Sequence, residues 1–266
     1  MLKSITLEKI YLFYVILFAA QATLFTSDMD FRSNPVGVGL MLVLCTRLLI
    51  KHKISLRNKN LLILYAILGI WAVLHYLTDI EFKLLSYLIL YINVTVGYSL
   101  VKIFGNKLYE KTTQYITYLT GISLVLWAIM HVTGTGFFES IGFMKPTSST
   151  SSSSLLIFNV PNIHIYEGAG IGPFMRNCGF AWEPGLFASF VCFAIYFNLL
   201  IKKRIKGNRN FYILTLGLFS TFSTTGYSAF LLIMANYFIV QNAKKSTQIL
   251  YICLLYTSPS PRDSTS

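Results

Sequence analysis

The sequence predicts an all-α fold, a polytopic helical membrane protein, and three observations carry that expectation. Of the 266 residues, 55% are hydrophobic and only 12% are charged, and the mean hydropathy of +0.61 lies far outside the range of an average soluble domain. Apolar runs close to the ~20 residues that cross the hydrocarbon core of a bilayer recur along the chain, each bounded by charges. The basic residues fall in alternate connections between those runs, as the orientation rule for membrane helices requires.

In chain order the runs occupy residues 10–26, 35–50, 61–77, 84–104, 115–134, 184–201, 211–224 and 227–240. They give about eight expected transmembrane helices in one domain, residues 1–252. The first exceeds the 7–15 residues of a signal-peptide core and is followed by further spans, so Ala20-Gln21-Ala22 at its end reads as part of an uncleaved helix. The third and fifth carry Trp71 with His75 and Trp127 with His131 at their outward ends, where amphipathic side chains anchor or bridge helices. Asn93 and Thr95 lie mid-span in the fourth and are expected to join helices by hydrogen bonds. Ser223-Thr224-Thr225-Gly226 separates the last two runs, which read as two short spans rather than one long helix.

Charge placement supports that division. With the N-terminus on the cytoplasmic side, Lys3 and Lys9, then Arg47, Lys51, Lys53, Arg57 and Lys59, then Lys102, Lys107 and Lys111 lie inside. Lys202, Lys203, Arg204, Lys206 and Arg209 follow, and finally Lys244 and Lys245; outside the tail, only Arg32, Lys83, Lys145 and Arg176 face outward. The net charge of +12 is therefore a property of short inner loops that meet anionic lipid headgroups, and it implies no nucleic-acid partner. Asp28, Asp30, Asp79 and Glu81 read as solvated outer-loop residues. Cys45 and Cys192 fall inside helices and Cys178 stands alone in an outer loop, so neither a metal site nor a disulfide framework is indicated.

One long connection, residues 135–183, is large enough to shape a site on the outer face. Residues 146–154, PTSSTSSSS, contain no apolar side chain with which to order themselves, and mobility is expected there. The apolar run 155–160 is too short to span and reads either as a surface-lying segment or as a short strand. The next stretch, NIHIYEGAGIG, holds His164, Tyr166 and Glu167 among glycines. Its spacing is no dinucleotide fingerprint, for no βαβ unit surrounds it; a flexible turn and a backbone nest for phosphate both remain open.

The loop closes on RNCGFAWEPGLFASF, residues 176–190, where Arg176 and Glu183 precede an apolar helix that begins at Pro184. Arginine presents a planar fork of donors that suits phosphate, and its charge persists at any physiological pH. Proline favours the first turn of a helix, so Glu183 is expected at the positive end of the helix dipole. The alternative reading is a charge that stabilises a helix start, with Trp182 as an interface anchor and Arg176 on lipid headgroups.

Arg176, Gly179, Phe180, Glu183, Pro184 and Gly185 together resemble the arginine–glycine–aromatic–glutamate–proline signature of Wzy-type O-antigen and capsular polysaccharide polymerases, the superfamily that includes the O-antigen ligases. Ser223, Thr224 and Tyr227 resemble the serine/threonine–glycine turn that opens a late helix there. The resemblance implies a multi-pass glycosyltransferase of the bacterial cytoplasmic membrane. Its substrates would be glycan repeat units on polyprenyl pyrophosphate, polymerised or ligated at the outer face without a metal or other cofactor. Arg176 would hold the pyrophosphate and Glu183 would act as base or orient Arg176. His164, Tyr166, Ser223, Thr224 and Tyr227 would line the substrate path, and membrane lipids and other polysaccharide-assembly membrane proteins are the implied neighbours.

The rival from another class is a transporter or flippase of lipid-linked saccharides. Such proteins tend to carry internal repeats and mid-membrane ionisable groups, and neither is visible here. Residues 253–266, which include CLLYTSPSPRD, read as an adapter-derived, non-native tail; on that reading the natural protein continues past Ile252 and this chain is a C-terminally truncated fragment.

Overall fold

The computed structural model describes residues 6–22, 35–78, 84–133, 145–146, 152–155, 157–161 and 176–242. Among these residues the chain forms α1 (Leu7–Ala19), α2 (Pro35–Lys51), α3 (Lys59–Thr78), α4 (Leu84–Phe104), α5 (Lys107–Thr133), α6 (Pro184–Lys202), α7 (Arg209–Ser220) and α8 (Thr224–Asn242). A small sheet stands in the long connection, with β1 (Lys145–Pro146), β2 (Ser152–Leu155) and β3 (Phe158–Pro161) in antiparallel order β1-β2-β3. The molecule is thus a helical membrane protein. Among the described residues four helices are long and apolar enough to cross a bilayer: α3, the Ser86–Phe104 part of α4, α5 and α6.

Each expected apolar run contributes a helix among the described residues, but several ends move for local reasons. α1 stops at Ala19 rather than near residue 26, because Gln21 adopts a left-handed conformation (φ 56°) and the Ala22 N–H closes onto the Leu17 carbonyl at 3.0 Å. α5 starts eight residues earlier than the apolar run. The Gln114 carboxamide donates to Glu110 (3.1 Å) and accepts from Lys111 (3.2 Å), carrying the helix into polar surroundings that a search for apolar length overlooks. α7 is only 12 residues, ~18 Å at 1.5 Å per residue, and shorter than a bilayer core.

Burial rises from the edge of the molecule to its centre. In the apolar window of α3 6% of residues are buried, whereas in α6 the share is 50%. α6 packs against α5, α7 and α8, and Phe187, Ala188, Val191, Ala194 and Ile195 along it are wholly buried. α1 packs directly on α2, the pair meets the bundle where α1 touches α5 and α2 touches α4, and α3 lies against α4. On α3, Ile67, Ile70, Val73, Leu74 and Leu77 are exposed, an apolar surface that suits lipid contact.

Two glycines let helices approach closely. A Cβ at Gly217 of α7 would stand 2.2 Å from Thr120 Cγ2 of α5, and one at Gly226 of α8 would stand 2.7 Å from Ala188 Cβ of α6. The expected role of Gly226 in a turn is therefore corrected: it lies inside α8, and the left-handed residue between α7 and α8 is Phe222 (φ 48°). The joining of α3 to α4 follows the expectation for Thr95, whose hydroxyl meets Tyr65 Oη at 2.5 Å.

The mobility expected over residues 146–154 is corrected in part. Residues 145–146 and 152–154 lie in the sheet, where Lys145 pairs with Ser154 and Leu155 with Phe158. Backbone ladders supply the order that serine side chains do not, and the buried Phe158 pins the hairpin to the bundle. The strand reading of 155–160 holds at Leu155 and from Phe158 onward.

Candidate functional site

The segment 176–183 docks into the end of the bundle through its polar groups. Asn177, 5% exposed, is the centre of that attachment. Its Oδ1 accepts from Ser123 Oγ of α5 at 2.7 Å and from the Gly179 N–H at 2.9 Å, and its Nδ2 donates to Ser220 Oγ of α7 at 2.9 Å. The Asn177 N–H donates to the Ser220 carbonyl at 2.9 Å, and the Trp182 N–H to the Ala20 carbonyl beyond α1 at 3.3 Å. One carboxamide thus ties the loop to two helices, with its oxygen doubly satisfied, as burial demands.

Apolar packing completes the dock. Gly179 adopts φ +56°, and a Cβ there would stand 2.5 Å from the Phe187 ring, so only glycine fits both backbone and space. Phe180 is wholly buried and meets Phe187 and Phe190 edge-on, with centroids 5.5 and 5.6 Å apart.

Arg176 is half-buried, and its Nε donates to the Thr221 carbonyl at 3.0 Å, which fixes the plane of the guanidinium at the C-terminal end of α7. Ser123, Leu126, Trp127, Met130, Phe158, Asn177 and Gly179 line a small cavity with it, about 10 Å³ in volume. Its charge also reaches the Tyr227 hydroxyl, which donates to the Phe219 carbonyl at 2.9 Å.

Glu183 is the N-cap of α6 in extended conformation (φ −139°, ψ 155°), with proline following, as expected. Its carboxylate makes no capping hydrogen bond and is exposed. Glu183 and Arg176 form no ion pair with each other: the ion pairs among the described residues are those of Glu8 with Lys51 and His52, and Arg176 donates to the Thr221 carbonyl. Both charges nevertheless act on the Cys178 thiol between them. Burial pushes that thiol well above the ordinary range, Arg176 opposes the shift and Glu183 adds to it. Cys178 therefore stays protonated and is a packing residue rather than a nucleophile.

The other expected site residues divide. Ser223 is buried and its Oγ accepts from the Gly226 N–H at 3.2 Å, making it the N-cap of α8. Thr224 is exposed in the first turn of α8, and Tyr227 lies one turn on, so the structure brings this trio to the end of α7 beside Arg176. His164 and Tyr166 lie outside the described residues. Among the described residues no three His, Cys, Asp or Glu side chains gather into a metal-holding group. Sequence reasoning passed over Asn177, whose neighbour Arg176 carried the charge signal; an asparagine between an arginine and a cysteine announces nothing until its partners on α5 and α7 are in place.

The arrangement sets a cation, held by the backbone, and an exposed carboxylate at a helix N-terminus on one end of the bundle. Such a pair can bind a phosphorylated group and accept a proton from a nearby hydroxyl. No family model, curated protein or solved structure matches this chain, so the likeness to the polymerases rests on the residues that carry it.

Proposed function

We propose that the protein is a glycosyltransferase of the bacterial cytoplasmic membrane that polymerises or ligates glycan repeat units carried on polyprenyl pyrophosphate. The eight helices all span or enter the bilayer in this reading, with the N-terminus inside and residues 135–183 outside. Contacts across the chain support that topology, because they join ends assigned to the same side. Glu8 reaches Lys51 and His52, and Tyr237 reaches the Lys203 carbonyl, all inside; Trp182 reaches Ala20, and Asn177 reaches Ser220, all outside.

The observation that carries the reading is Arg176, a cation on the side from which nearly all others are excluded, fixed by the Thr221 carbonyl beside the N-terminus of α6. In the reaction the bond between the anomeric carbon and the pyrophosphate oxygen breaks and its electron pair leaves with the phosphate. A hydroxyl oxygen of the acceptor sugar bonds to the anomeric carbon and its proton passes to Glu183. Polyprenyl pyrophosphate is the leaving group, and Arg176 stabilises the charge that develops on it. A positioned base contributes about 10²–10⁴-fold to such a step. Thr224 and Tyr227 edge the same end of the bundle and contact the sugar path, the buried Ser223 caps the helix that carries them, and His164 and Tyr166 are supplied from the long loop.

The test is glycan chain length in cells carrying the gene. With protein inserted at normal levels, Arg176→Ala and Glu183→Gln shorten the surface glycan to a single repeat unit or leave it unattached. Unaltered glycan in both variants would end the catalytic assignment, and repeat units that fail to reach the outer face would favour transport.

A further inference from the structure

At the opposite end of the molecule, Lys53, Ile54, Ser55, Arg57, Asn58, Tyr98 and Lys102 line an open groove where the α2–α3 connection meets the last turns of α4. Three of these seven residues are cationic and none is acidic. The carboxylate available nearby, Glu8, is already taken: Lys51 holds it at 2.6 Å and His52 at 3.1 Å. The groove is also built rather than merely charged. Tyr98 Oη donates to the Ser55 carbonyl at 3.2 Å and fastens the connection to α4, while Lys102 Nζ stands over the Tyr98 ring, 5.6 Å from its centroid. Lys53 takes a left-handed backbone (φ 50°) that turns the chain out of α2, and the Asn58 carboxamide accepts from the N–H groups of Asn60 and Leu61 at the start of α3. Cations converge here beside the positive end of α3, a setting for an anion with several acceptor oxygens.

We infer that this groove binds the phosphodiester headgroup of an anionic phospholipid, with Arg57 and Lys102 as its principal contacts and Lys53 at its edge. The ligand is a lipid because the groove lies at the mouth of two bilayer-length helices, α3 and α4, and the exposed apolar flank of α3 offers a surface for acyl chains. The site stands independently of the glycosyltransferase reading, since it lies at the far end of the bundle from Arg176 and takes no part in that chemistry.

The test is native mass spectrometry of the full chain released from nanodiscs of equimolar phosphatidylcholine and phosphatidylglycerol. The wild-type protein retains phosphatidylglycerol in preference to phosphatidylcholine. Arg57→Gln and Lys102→Gln each lower that preference about 5-fold, the effect expected for one basic contact at a membrane surface. The control variants Lys206→Gln and Arg209→Gln leave it unchanged. Equal losses in both sets would mean diffuse attraction to basic loops and would overturn the site. Displacement of the lipid by inorganic phosphate, as effective as by dispersed phosphatidylglycerol, would make it a free-phosphate site and overturn the lipid assignment. Should a glutamine variant misfold, Tyr98→Phe, which frees the α2–α3 connection from α4 without touching charge, lowers retention if the groove is built as described and leaves it unchanged if charge alone matters.

Discussion

At the scale of single residues, Asn177 spends its carboxamide on Ser123, Gly179 and Ser220, and every one of those partners is buried or enclosed. Asn177→Ala leaves the Ser123 hydroxyl and the Gly179 N–H without their acceptor and lowers stability by about 1–3 kcal/mol, measurable as a fall in melting temperature in detergent. Gly179→Ala places a methyl against the Phe187 ring in a backbone conformation that alanine resists, and costs about 1–3 kcal/mol from overpacking alone. Glu8 gives a pH dependence. Its hydrogen bond from Lys51, with help from its own backbone and lesser help from His52 and Thr6, lowers its carboxyl from the ordinary 4.5 to about 2 against the opposing effect of burial. A carboxyl depressed by folding stabilises the protein fully above its unfolded value, and that stabilisation disappears as the pH falls from about 4.5 to about 2. Acid unfolding of the wild type is therefore steeper in that window than that of Glu8→Gln, as circular dichroism across the range will show.

At the scale of elements, the close crossings at Gly217 and Gly226 set the spacing of α5, α6, α7 and α8. Gly226→Val forces α8 away from α6 and lowers the melting temperature, whereas Gly97→Ala, with open space around it, leaves the temperature unchanged. Helix positions were legible in the sequence because apolar length and charged borders are local signals. Helix ends were not, because they follow from caps and side-chain pairs: the left-handed Gln21, the Glu110–Gln114–Lys111 chain and the Ser223 cap. The start of α6 was legible for the opposite reason, since Glu183-Pro184 is itself a local signal for a helix N-terminus. In the long connection a strand over 155–160 was an open reading, but the serine strand escaped because a run of serines carries no strand pattern; its order comes from pairing with Phe158–Pro161.

At the scale of the whole molecule, the alternation of basic loops predicts sidedness, and the docking of 176–183 between α5 and α7 assembles the candidate site on one side. Arg176 and Glu183 were visible in the sequence as charges out of place, while the Thr221 carbonyl that holds Arg176 was not, since a backbone acceptor 45 residues away leaves no mark on composition. With the four cysteines of the chain replaced, Glu183→Cys reacts with an impermeant maleimide in intact spheroplasts and Lys206→Cys reacts only after permeabilisation; the reverse pattern would invert the topology. The most direct test of the central claim uses the protein reconstituted in liposomes with a synthetic glycan on polyprenyl pyrophosphate. Elongated glycan and free polyprenyl pyrophosphate accumulate in step, and Arg176→Ala lowers the rate by about 10²–10³-fold, the loss typical when a preorganised charge-stabilising donor is removed. A folded Arg176→Ala protein that turns over at the wild-type rate, or a wild type that binds the substrate and releases no polyprenyl pyrophosphate, would contradict it.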